Sequence, residues 1–516
     1  MNDMMNIILK KTFFNRSLIL AVGLFCMLTS CSDNNFSNEY YKDNNTYFNE
    51  LYRPSIHFTP KKFWLNDPNG LVYFDDEYHL FYQFNPYGPK WGHMSWGHAV
   101  STDLIHWEEL SPALYPDELG DIFSGCIVID KNNNTGFGKD AMIAIYTSSG
   151  TAQTQCIAYS LDKGRTFKKY EYNPVLVPDN PDLKDFRDPK VFWHEASGKW
   201  IMSLATHKSI TFYSSFDLLK WNKLSEFKDM GMRDHVWECP DLFPLQYNGQ
   251  TKWVLLVSIN PGAPNGGSGT QYFIGDFNGV TFTADISVPY PIWVDYGKDN
   301  YAGVTWDNIP QADGRRLQIG WMSNWQYAGD IPTDTWRGGM TIPKELTLKT
   351  HPDGYPVLAS DFVMEIAKIG AEWSTLTANN NEFILGDANE SYQLNVEMNI
   401  DAEKDQNLIL ENKRGEVFVI SIDRANNAFI TNRIRSGNTD FSSSFAGIST
   451  APLNVNSNNI SLSIIVDKSS IEVLVNNGIS QQTNLVFPKE LYNKIILSGS
   501  ETSVPIIKYR KLNSIR

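Results

Sequence analysis

Cysteine is scarce in this chain, and the few cysteines present form no pattern. There are 5 among 516 residues, two of them in the leader segment described below. The other three, Cys126, Cys156 and Cys239, are an odd number without the close spacing of metal-ligand motifs. A chain of this length needs no disulfide framework. The 9 histidines are also dispersed, and the pair His93 and His98 is too isolated to indicate a metal site.

Basic residues are in deficit as well. Lys and Arg total 44 against 58 Asp and Glu, which gives a formal net charge of −14. This charge opposes binding to nucleic acid and to anionic membrane surfaces. We therefore expect a neutral, soluble small molecule as the partner and no nucleic acid. The length and the hydrophobic fraction of 42% allow two large cores, so at least two domains are expected.

Long apolar runs are missing except for one near the N-terminus. Residues 17–28 form an apolar segment after three basic residues, and its length is that of an export signal rather than of a membrane span. The segment ends in Leu-Thr-Ser-Cys at 28–31, which resembles the lipobox of bacterial lipoproteins. We predict a lipoprotein signal peptide over 1–30 and lipidation of Cys31. Ordinary signal cleavage beside an incidental cysteine is the alternative.

The segment after this cysteine has the composition of a linker. Residues 31–52 are rich in Asn, Ser and Asp and predict a flexible tether. The protein is therefore expected to be exported and lipid-anchored in the bacterial cell envelope, touching the membrane only through its anchor. Neither the membrane face nor the oligomeric state follows from the sequence.

Sustained helical periodicity is absent from residues 53–346, where short β-rich runs are broken by Gly, Pro, Asn and Asp. A small unit recurs there, with Ser or Gly just before an Asp and an aromatic residue a turn later. Its aspartates, Asp103, Asp162, Asp217 and Asp276, are 59, 55 and 59 residues apart, the size of one four-stranded blade. A five-bladed β-propeller is predicted. Unrelated turns are the alternative, since Ser and Asp favour turns.

The same repeat aligns four candidate site residues. Asp67 (WLNDPNG), Ser124 (FSGC), Asp188 (FRDPK) and Glu238 (WECPD) each precede an Asp of the repeat by 29 to 38 residues. They therefore occupy similar places in successive blades. If that place is the innermost strand, these side chains converge on the central axis. The prolines beside the three acids suit a strand end next to an opening.

The composition changes after residue 346. Several segments alternate apolar with polar residues between Asn- and Gly-rich turns, which is typical of an antiparallel sandwich. These segments are 392–400, 416–424, 462–476 and 494–499. Residues 347–516 are therefore predicted to form a linker and a C-terminal β-sandwich, so the whole fold is expected to be all-β.

A cluster of carboxylates suits the cleavage of a glycosidic bond, in which one carboxylate attacks the anomeric carbon and another protonates the leaving oxygen. Glu238 is the better proton donor, because Val236 and Trp237 are apolar and two neighbouring acids disfavour a third charge. Two aromatic-rich runs, 81–99 and 320–339, place Trp, Tyr, Asn and Gln side by side. Such residues bind sugars well, and they equally pack blades together.

Together, WLNDPNG, FRDPK and WECPD closely resemble glycoside hydrolase family 32, which includes invertases, inulinases and levanases. The resemblance spans nearly all of the mature chain, including 295–303, 321–346 and 467–478. It implies a five-bladed β-propeller followed by a β-sandwich, cleavage with retention, and no metal or organic cofactor.

The resemblance also implies roles for individual residues. Asp67 matches the nucleophile, Asp188 the transition-state stabiliser that binds fructose hydroxyls, and Glu238 the general acid and base. Further residues are implied to bind substrate in the fructosyl pocket: Asn66, Gln83, Trp91, Ser124, Arg187 and Trp321. Arg187 is also suited to holding neighbouring carboxylates in place. The family's FSGS-like motif reads FSGC here, so a role for a hydroxyl at Cys126 is in doubt.

The expected function is release of fructose from β-fructosides by a retaining hydrolase. The GWMSNW run is more similar to exo-acting fructan-degrading enzymes than to plant invertases, which favours levan or inulin, with sucrose as a further substrate. An endo-levanase and a fructosyltransferase remain alternatives within enzymes. A non-catalytic surface glycan-binding protein is the alternative from another class, and the intact acid triad argues against it.

Overall fold

The computed structural model of the protein describes residues 47–386, 390–499 and 504–516. The predicted signal peptide, the predicted lipidation site Cys31 and most of the predicted tether lie outside these residues. Within the described part of the chain, no helix is long and apolar enough to cross a membrane.

Five sheets follow one another along the chain and form the five blades of a β-propeller, as predicted. Each blade starts with an inner strand, and every further strand pairs antiparallel with the one before it. The first blade contains β1 (Phe63–Phe74), β2 (Glu77–Asn85), β3 (Ser95–Ser101) and β4 (Glu108–Leu114). The second contains β5 (Asp121–Asp130), β6 (Ala141–Ser149), β7 (Gln153–Ser160) and β8 (Lys168–Lys169).

The remaining blades repeat this order. The third contains β9 (Phe186–His194), β10 (Lys199–Thr206), β11 (Ile210–Ser215) and β12 (Asn222–Phe227), with a 3-10 helix over Glu195–Ser197. The fourth contains β13 (Val236–Tyr247), β14 (Gln250–Asn260), β15 (Gly269–Phe277) and β16 (Phe282–Ala284), and β17 (Ile292–Trp293) pairs with β15. The fifth contains β18 (Tyr301–Thr305), β19 (Leu317–Trp321), β21 (Lys344–Thr350) and β22 (Pro356–Phe362).

The ring closes between the fifth and first blades. The short strand β20 (Trp336–Arg337), which belongs to the fifth-blade segment, pairs in parallel with the start of β1. Trp306, which follows β18, stacks on Trp107 of the first blade with ring centroids 6.2 Å apart. Neighbouring blades elsewhere share hydrophobic clusters of buried side chains. Burial of these faces is the main favourable contribution to the propeller's stability.

The repeated aspartates cap the turn between the third and fourth strands of a blade. The backbone amides of the following turn donate to the side chains of Asp103, Asp162 and Asp217. In the fourth blade the prediction that Asp276 occupies the repeat position was wrong, because Asp276 lies inside β15 and the turn is capped by Asn278. The repeated residue therefore caps a turn in each of the first four blades. In the fourth blade this residue is an Asn, two positions after Asp276.

The predicted domain boundary at residue 346 was also wrong. Residue 346 lies within β21, and the fifth blade continues to the end of β22 at Phe362. The outer half of β21 is partly exposed and polar, so the composition changes before the blade ends. A 3-10 helix over Met364–Ile369 then leads away from the propeller.

The C-terminal domain is a sandwich of two six-stranded antiparallel sheets, as predicted. One sheet contains β23 (Ser374–Thr375), β34 (Ile506–Lys511), β25 (Tyr392–Asn399), β30 (Asn459–Asp467), β31 (Ser470–Val475) and β32 (Ser480–Leu485) in spatial order. The other contains β24 (Glu382–Ile384), β33 (Lys494–Gly499), β26 (Asp405–Glu411), β27 (Val417–Asp423), β28 (Ala428–Asn432) and β29 (Ile448–Pro452). Their facing sides share one hydrophobic core.

Buried polar contacts join the sandwich to the propeller. Arg433 of the sandwich pairs with Asp299 and donates to the Tyr327 hydroxyl at 2.8 Å. Asp299 also accepts the backbone amide of Leu485 at 2.8 Å. Because each of these buried groups has a partner, the interface avoids the cost of isolated buried charge.

Candidate active site

Each inner strand carries an irregularity where the candidate site residues lie. The strand pairing shifts register between Leu65 and Pro68 in the first blade and between Glu238 and Asp241 in the fourth. Comparable shifts occur in the other three blades. Such bulges re-aim side chains and are frequent next to active sites. Here the bulges lie at the acids, so the acidic side chains depart from the regular alternation along the strand.

The backbone at these bulges is strained. Asp188 and Cys239 have φ angles of 63° and 45°, a left-handed conformation that residues other than glycine adopt at a cost. The following residues, Pro189 and Pro240, cannot donate a ladder hydrogen bond. These prolines therefore interrupt the regular strand pairing at the bulges.

The first four blades bring most of the predicted residues into one cavity of about 310 Å³. Its walls contain the three acids together with other predicted residues: Asp67, Asp188, Glu238, Asn66, Gln83, Trp91, Ser124 and Arg187. Phe123 and Trp325 complete the lining. Side chains from four different blades thus meet in one pocket, as the repeat predicted.

Asp67 is held by donors on both oxygens. The Asn66 amide donates to Oδ1 at 3.1 Å, and the Ser124 hydroxyl donates to Oδ2 at 3.1 Å. Burial raises the pKa of Asp67 to about 6; the hydrogen bond from Asn66 opposes this shift, and the charge of Glu238 adds to it. Asp67 is therefore ionised, and able to act as a nucleophile, only above about this pH.

Asp188 is 6% exposed and accepts the Cys239 backbone amide at 3.0 Å. Burial raises the pKa of Asp188 to about 7; the positive charge of Arg187 opposes the shift, and the charge of Glu238 adds to it. The thiol of Cys239 lies 3.6 Å from Oδ2 of both Asp67 and Asp188. Cys239 thus connects the two aspartates.

Glu238 is held by two donors from other blades. Nη2 of Arg187 donates to Oε1 at 2.9 Å, and the hydroxyl of Tyr301 donates to Oε2. Arg187 also approaches Asp188, with Nε 3.8 Å from Oδ2, and pairs with Asp185. One guanidinium therefore links two acids of the pocket, as its planar set of donors allows.

The comparisons with known proteins agree with this geometry. Residues 57–357 match the Glycosyl hydrolases family 32 N-terminal domain, and residues 366–512 match the Glycosyl hydrolases family 32 C terminal. The chain belongs to glycoside hydrolase family 32. It is therefore a glycosidase.

Several relatives of this family 32 chain are similar over most of their length. It is 47% identical to a levanase of Bacillus subtilis (strain 168), over 86% of this chain and 67% of the levanase. It is 37% identical to an extracellular exo-inulinase of Aspergillus niger, over 88% of this chain and 93% of the inulinase. The crystal structure of an exo-inulinase from Aspergillus awamori has a TM-score of 0.84 and 34% identity, covering 91% of this chain and all of that one.

Four residues of the family 32 site were not among the predicted ones: Phe123, Tyr301, Cys239 and Trp325. Tyr301 lies on β18, the inner strand of the fifth blade, at the place that the acids and Ser124 occupy in the other blades. The Asp-turn repeat stops at the fourth blade, so it gave no signal for this strand. Cys239 stands before Pro240, as Asp67 and Asp188 stand before their prolines, and that alignment was a usable signal.

Trp321 is not where the sequence placed it. Its side chain is fully buried and packs against Trp325 with ring centroids 4.8 Å apart, and Trp325 is the residue of this run that lines the pocket. Trp321 therefore supports the pocket wall rather than facing a ligand.

The side chain at position 126 also lies away from the pocket. The Cys126 side chain lies in the core between the second and third blades, where its sulfur accepts the Val191 amide at 3.2 Å. A hydroxyl at this position has no access to the pocket. His98 of the family 32 chain likewise pairs with His79 at 3.0 Å inside the first blade.

Proposed function

We propose that this protein is a retaining β-fructosidase that releases terminal fructose from levan or inulin, and also from sucrose. The observation that carries this proposal is the convergence of Asp67, Asp188 and Glu238 in one cavity with amide, hydroxyl and aromatic groups. Retaining glycosidases need a nucleophile and a separate acid on opposite sides of the scissile bond. The names of the relatives, levanase and exo-inulinase, support the choice of fructans.

In the proposed mechanism, Asp67 attacks the anomeric carbon of the fructosyl unit. The donors from Asn66 and Ser124 fix the carboxylate and leave it ionised above about pH 6. Glu238 gives its proton to the leaving oxygen in the same step, so that neither charge develops alone. The products are a covalent fructosyl ester on Asp67 and the shortened chain.

Water then releases fructose from this ester. Glu238, now ionised, takes a proton from the attacking water, and the ester bond to Asp67 breaks. Arg187 and Tyr301 hold Glu238 in place through both half-reactions. Asp188 stabilises the positive charge that develops on the sugar ring and accepts hydrogen bonds from its hydroxyls.

The size of the pocket favours action at a chain end. A volume of about 310 Å³ is at the small end of the roughly 300–1,000 Å³ typical of ligand pockets. Trp91, which is 51% exposed, lies at the rim and is placed to contact the sugar beyond the terminal fructose. An internal segment of a polymer requires space on both sides of the cleaved bond.

Product analysis with levan, inulin and sucrose tests this function. We expect free fructose as the only product from the two polymers, with no intermediate oligosaccharides. A ladder of oligosaccharides would assign endo action, and products longer than the substrate would assign fructosyl transfer. Binding of fructans without turnover would assign a glycan-binding protein.

Two further measurements test the mechanism. Asp67→Asn should abolish turnover while leaving the thermal unfolding midpoint unchanged, because Asn keeps the size and the acceptor of Asp. Undiminished hydrolysis by this variant contradicts the assignment of the nucleophile. Proton NMR of the first product formed should show the anomer of the substrate, and the opposite anomer would exclude a retaining mechanism.

We also propose that the protein is exported and lipid-anchored through Cys31 in the bacterial cell envelope. The leader sequence supports this proposal, and the word extracellular in the name of a relative agrees with export. A Cys31→Ser variant expressed in a bacterial host should move from the membrane fraction to the soluble exported fraction. An unchanged distribution would exclude this anchor.

A further inference from the structure

A second cavity lies at the other end of the inner strands. Its volume is about 570 Å³. Along β5, β9 and β13 the residues of the catalytic pocket come first, and Ile129, Phe192 and Leu242 of the second cavity follow several positions later. The two cavities therefore lie at opposite ends of the propeller axis.

The two cavities are separate. The residues between them, which include Pro189 and Pro240, enclose only about 10 Å³. This is about the space that a single water molecule needs. A sugar in the catalytic pocket therefore does not reach the second cavity, which opens on its own face of the propeller.

Tryptophan forms much of the wall of the second cavity. Trp193, Trp200, Trp253 and Trp306 all line it. Trp193 and Trp200 meet edge to face with ring centroids 5.2 Å apart, and Trp193 donates to Glu195 at 2.7 Å. Trp200 and Trp306 are buried, whereas Trp193 and Trp253 are partly exposed. The two partly exposed rings offer apolar surface in a fixed orientation, which suits the apolar face of a sugar ring.

Charged groups of both signs line the second cavity. The basic residues are Lys131, Lys190, Arg315 and Arg316, and the acidic ones are Glu195, Asp241 and Asp307. Lys190 and Asp241 are buried, and Nζ of Lys190 lies 3.5 Å from Oδ2 of Asp241. The wall therefore contains both hydrogen-bond donors and acceptors, which suits the hydroxyl groups of a sugar.

Two buried polar atoms in this wall have no hydrogen-bond partner among the described residues. They are Oδ1 of Asp241 and Nε1 of Trp200, and their residues are 1% and 5% exposed. Both atoms have almost no accessible surface, so a ligand reaches them only when side chains of the wall move. Because buried polar atoms without a partner are costly, a movement that brings a hydroxyl group to them is favoured. One atom accepts and the other donates, and a hydroxyl group does both.

We propose that this cavity is a second binding site for a polyhydroxylated ligand of mono- or disaccharide size. The partly exposed tryptophan rings, the mixed donors and acceptors of the wall, and the unpaired donor and acceptor all favour this chemistry. Exposed amides of Asn132 and Asn134 at the rim add further hydrogen-bonding groups. The site is independent of the proposed catalytic function, since it shares no lining residue with the catalytic pocket.

Calorimetric titration of the Asp67→Asn protein with sucrose tests this site, because the variant holds sucrose without cleaving it. We expect two binding events. Trp193→Ala, which removes one wall, should weaken the second event at least tenfold and leave the first unchanged. Asn132→Trp fills the mouth of the second cavity from an exposed position and should also weaken only the second event. This variant keeps the test valid if Trp193→Ala disturbs the folding of the blade.

Trp373→Ala is the matched control, since Trp373 is 37% exposed and lines neither cavity. It should leave both events unchanged. A single event insensitive to both Trp193→Ala and Asn132→Trp would overturn the proposal. If the catalytic pocket does not bind sucrose, only the binding event of the second cavity remains. That event should be lost in Trp193→Ala and Asn132→Trp and retained in Trp91→Ala. Failure of the second site and failure of the proposed function therefore give different results.

Discussion

The backbone amide of Cys239 donates a 3.0 Å hydrogen bond to Oδ2 of Asp188. The two residues belong to the inner strands of the third and fourth blades, and both have positive φ angles. The contact therefore fixes one strained bulge against another at the propeller axis. It orients Asp188 from the neighbouring blade.

Asp188→Asn should lower kcat by about 10² to 10³-fold, the usual effect of losing one electrostatic contact to the transition state. Asn retains an oxygen that accepts the Cys239 amide, so the geometry should persist. The thermal midpoint should not fall, because burial already disfavours the charged form of this carboxyl and raises its pKa. Steady-state kinetics with sucrose and thermal unfolding check both parts.

The matched control for this substitution is Asp103→Asn, which changes a turn on the outer part of the first blade. It should leave kcat unchanged. Activity within threefold of the parent in Asp188→Asn would show that the negative charge of this residue does not act in the reaction.

The pH dependence of kcat/KM should report the raised pKa values of the two aspartates. In the proposed mechanism Asp67 must be ionised to attack, and its pKa is raised to about 6, while that of Asp188 is raised to about 7. Both groups gain protons as the pH falls, so the acid limb of the profile should lie between about pH 6 and 7, with a steep decline below pH 6. A pH series with sucrose measures this decline. An acid limb near pH 4, the ordinary range of a carboxyl, would contradict the shifts.

Most of this site could be predicted from the sequence because four of its blades repeat. The acids and Ser124 stand at one place on successive inner strands, and the Asp-turn spacing revealed that place. Tyr301 was missed because the fifth blade lacks the capped turn. Trp321 and Trp325 lie in one run, and only the packing of Trp321 beneath Trp325 decides which of them faces the pocket.

Local patterns also determined how well the second domain was predicted. Alternation located β25 and β33 almost to the residue, because one face of each strand is buried in the sandwich core. The run 462–476 is a hairpin of β30 and β31 whose tight turn follows Asp467. The boundary near 346 failed because the second half of β21 is partly exposed and polar, so the composition changes although the buried strand β22 still follows.

Tyr301→Phe should reduce kcat by about 10- to 100-fold. The variant removes the hydroxyl that donates to Glu238, and a hydrogen bond to a charged group contributes about 1.5–3 kcal/mol. The ring remains, so the contact with Trp321 is kept. Kinetics with sucrose and with inulin should show the same loss, since the contact acts on the proposed catalytic acid and not on one substrate.

Tyr146→Phe is the control for this variant. Tyr146 is also fully buried, and its hydroxyl has no hydrogen-bond partner among the described residues. Its replacement should leave kcat unchanged. Equal effects of the two substitutions would mean that Tyr301 acts by packing alone.

A buried cluster between the domains should make stability depend on alkaline pH. His57 lies between Asp467 at 2.7 Å and Glu472 at 2.9 Å, and Lys344 pairs with Glu472 at 2.6 Å. Burial opposes protonation of His57, but the hydrogen bonds and charges of the two acids prevail and raise its pKa to about 9. The charged histidine therefore holds the start of the propeller chain to the sandwich.

The sign of the effect follows from the direction of this shift. A raised folded-state pKa means that the stabilisation is complete below pH 6.5, the ordinary value, and is lost as the pH rises through about 9. His57→Gln keeps a donor but not the charge, and it should cost about 3 kcal/mol of unfolding free energy at pH 6. Because the parent loses the same contribution above pH 9, the two proteins should approach each other in stability at pH 10. Urea unfolding of both proteins at the two pH values measures the difference, and a gap independent of pH would show that His57 is neutral in the folded protein.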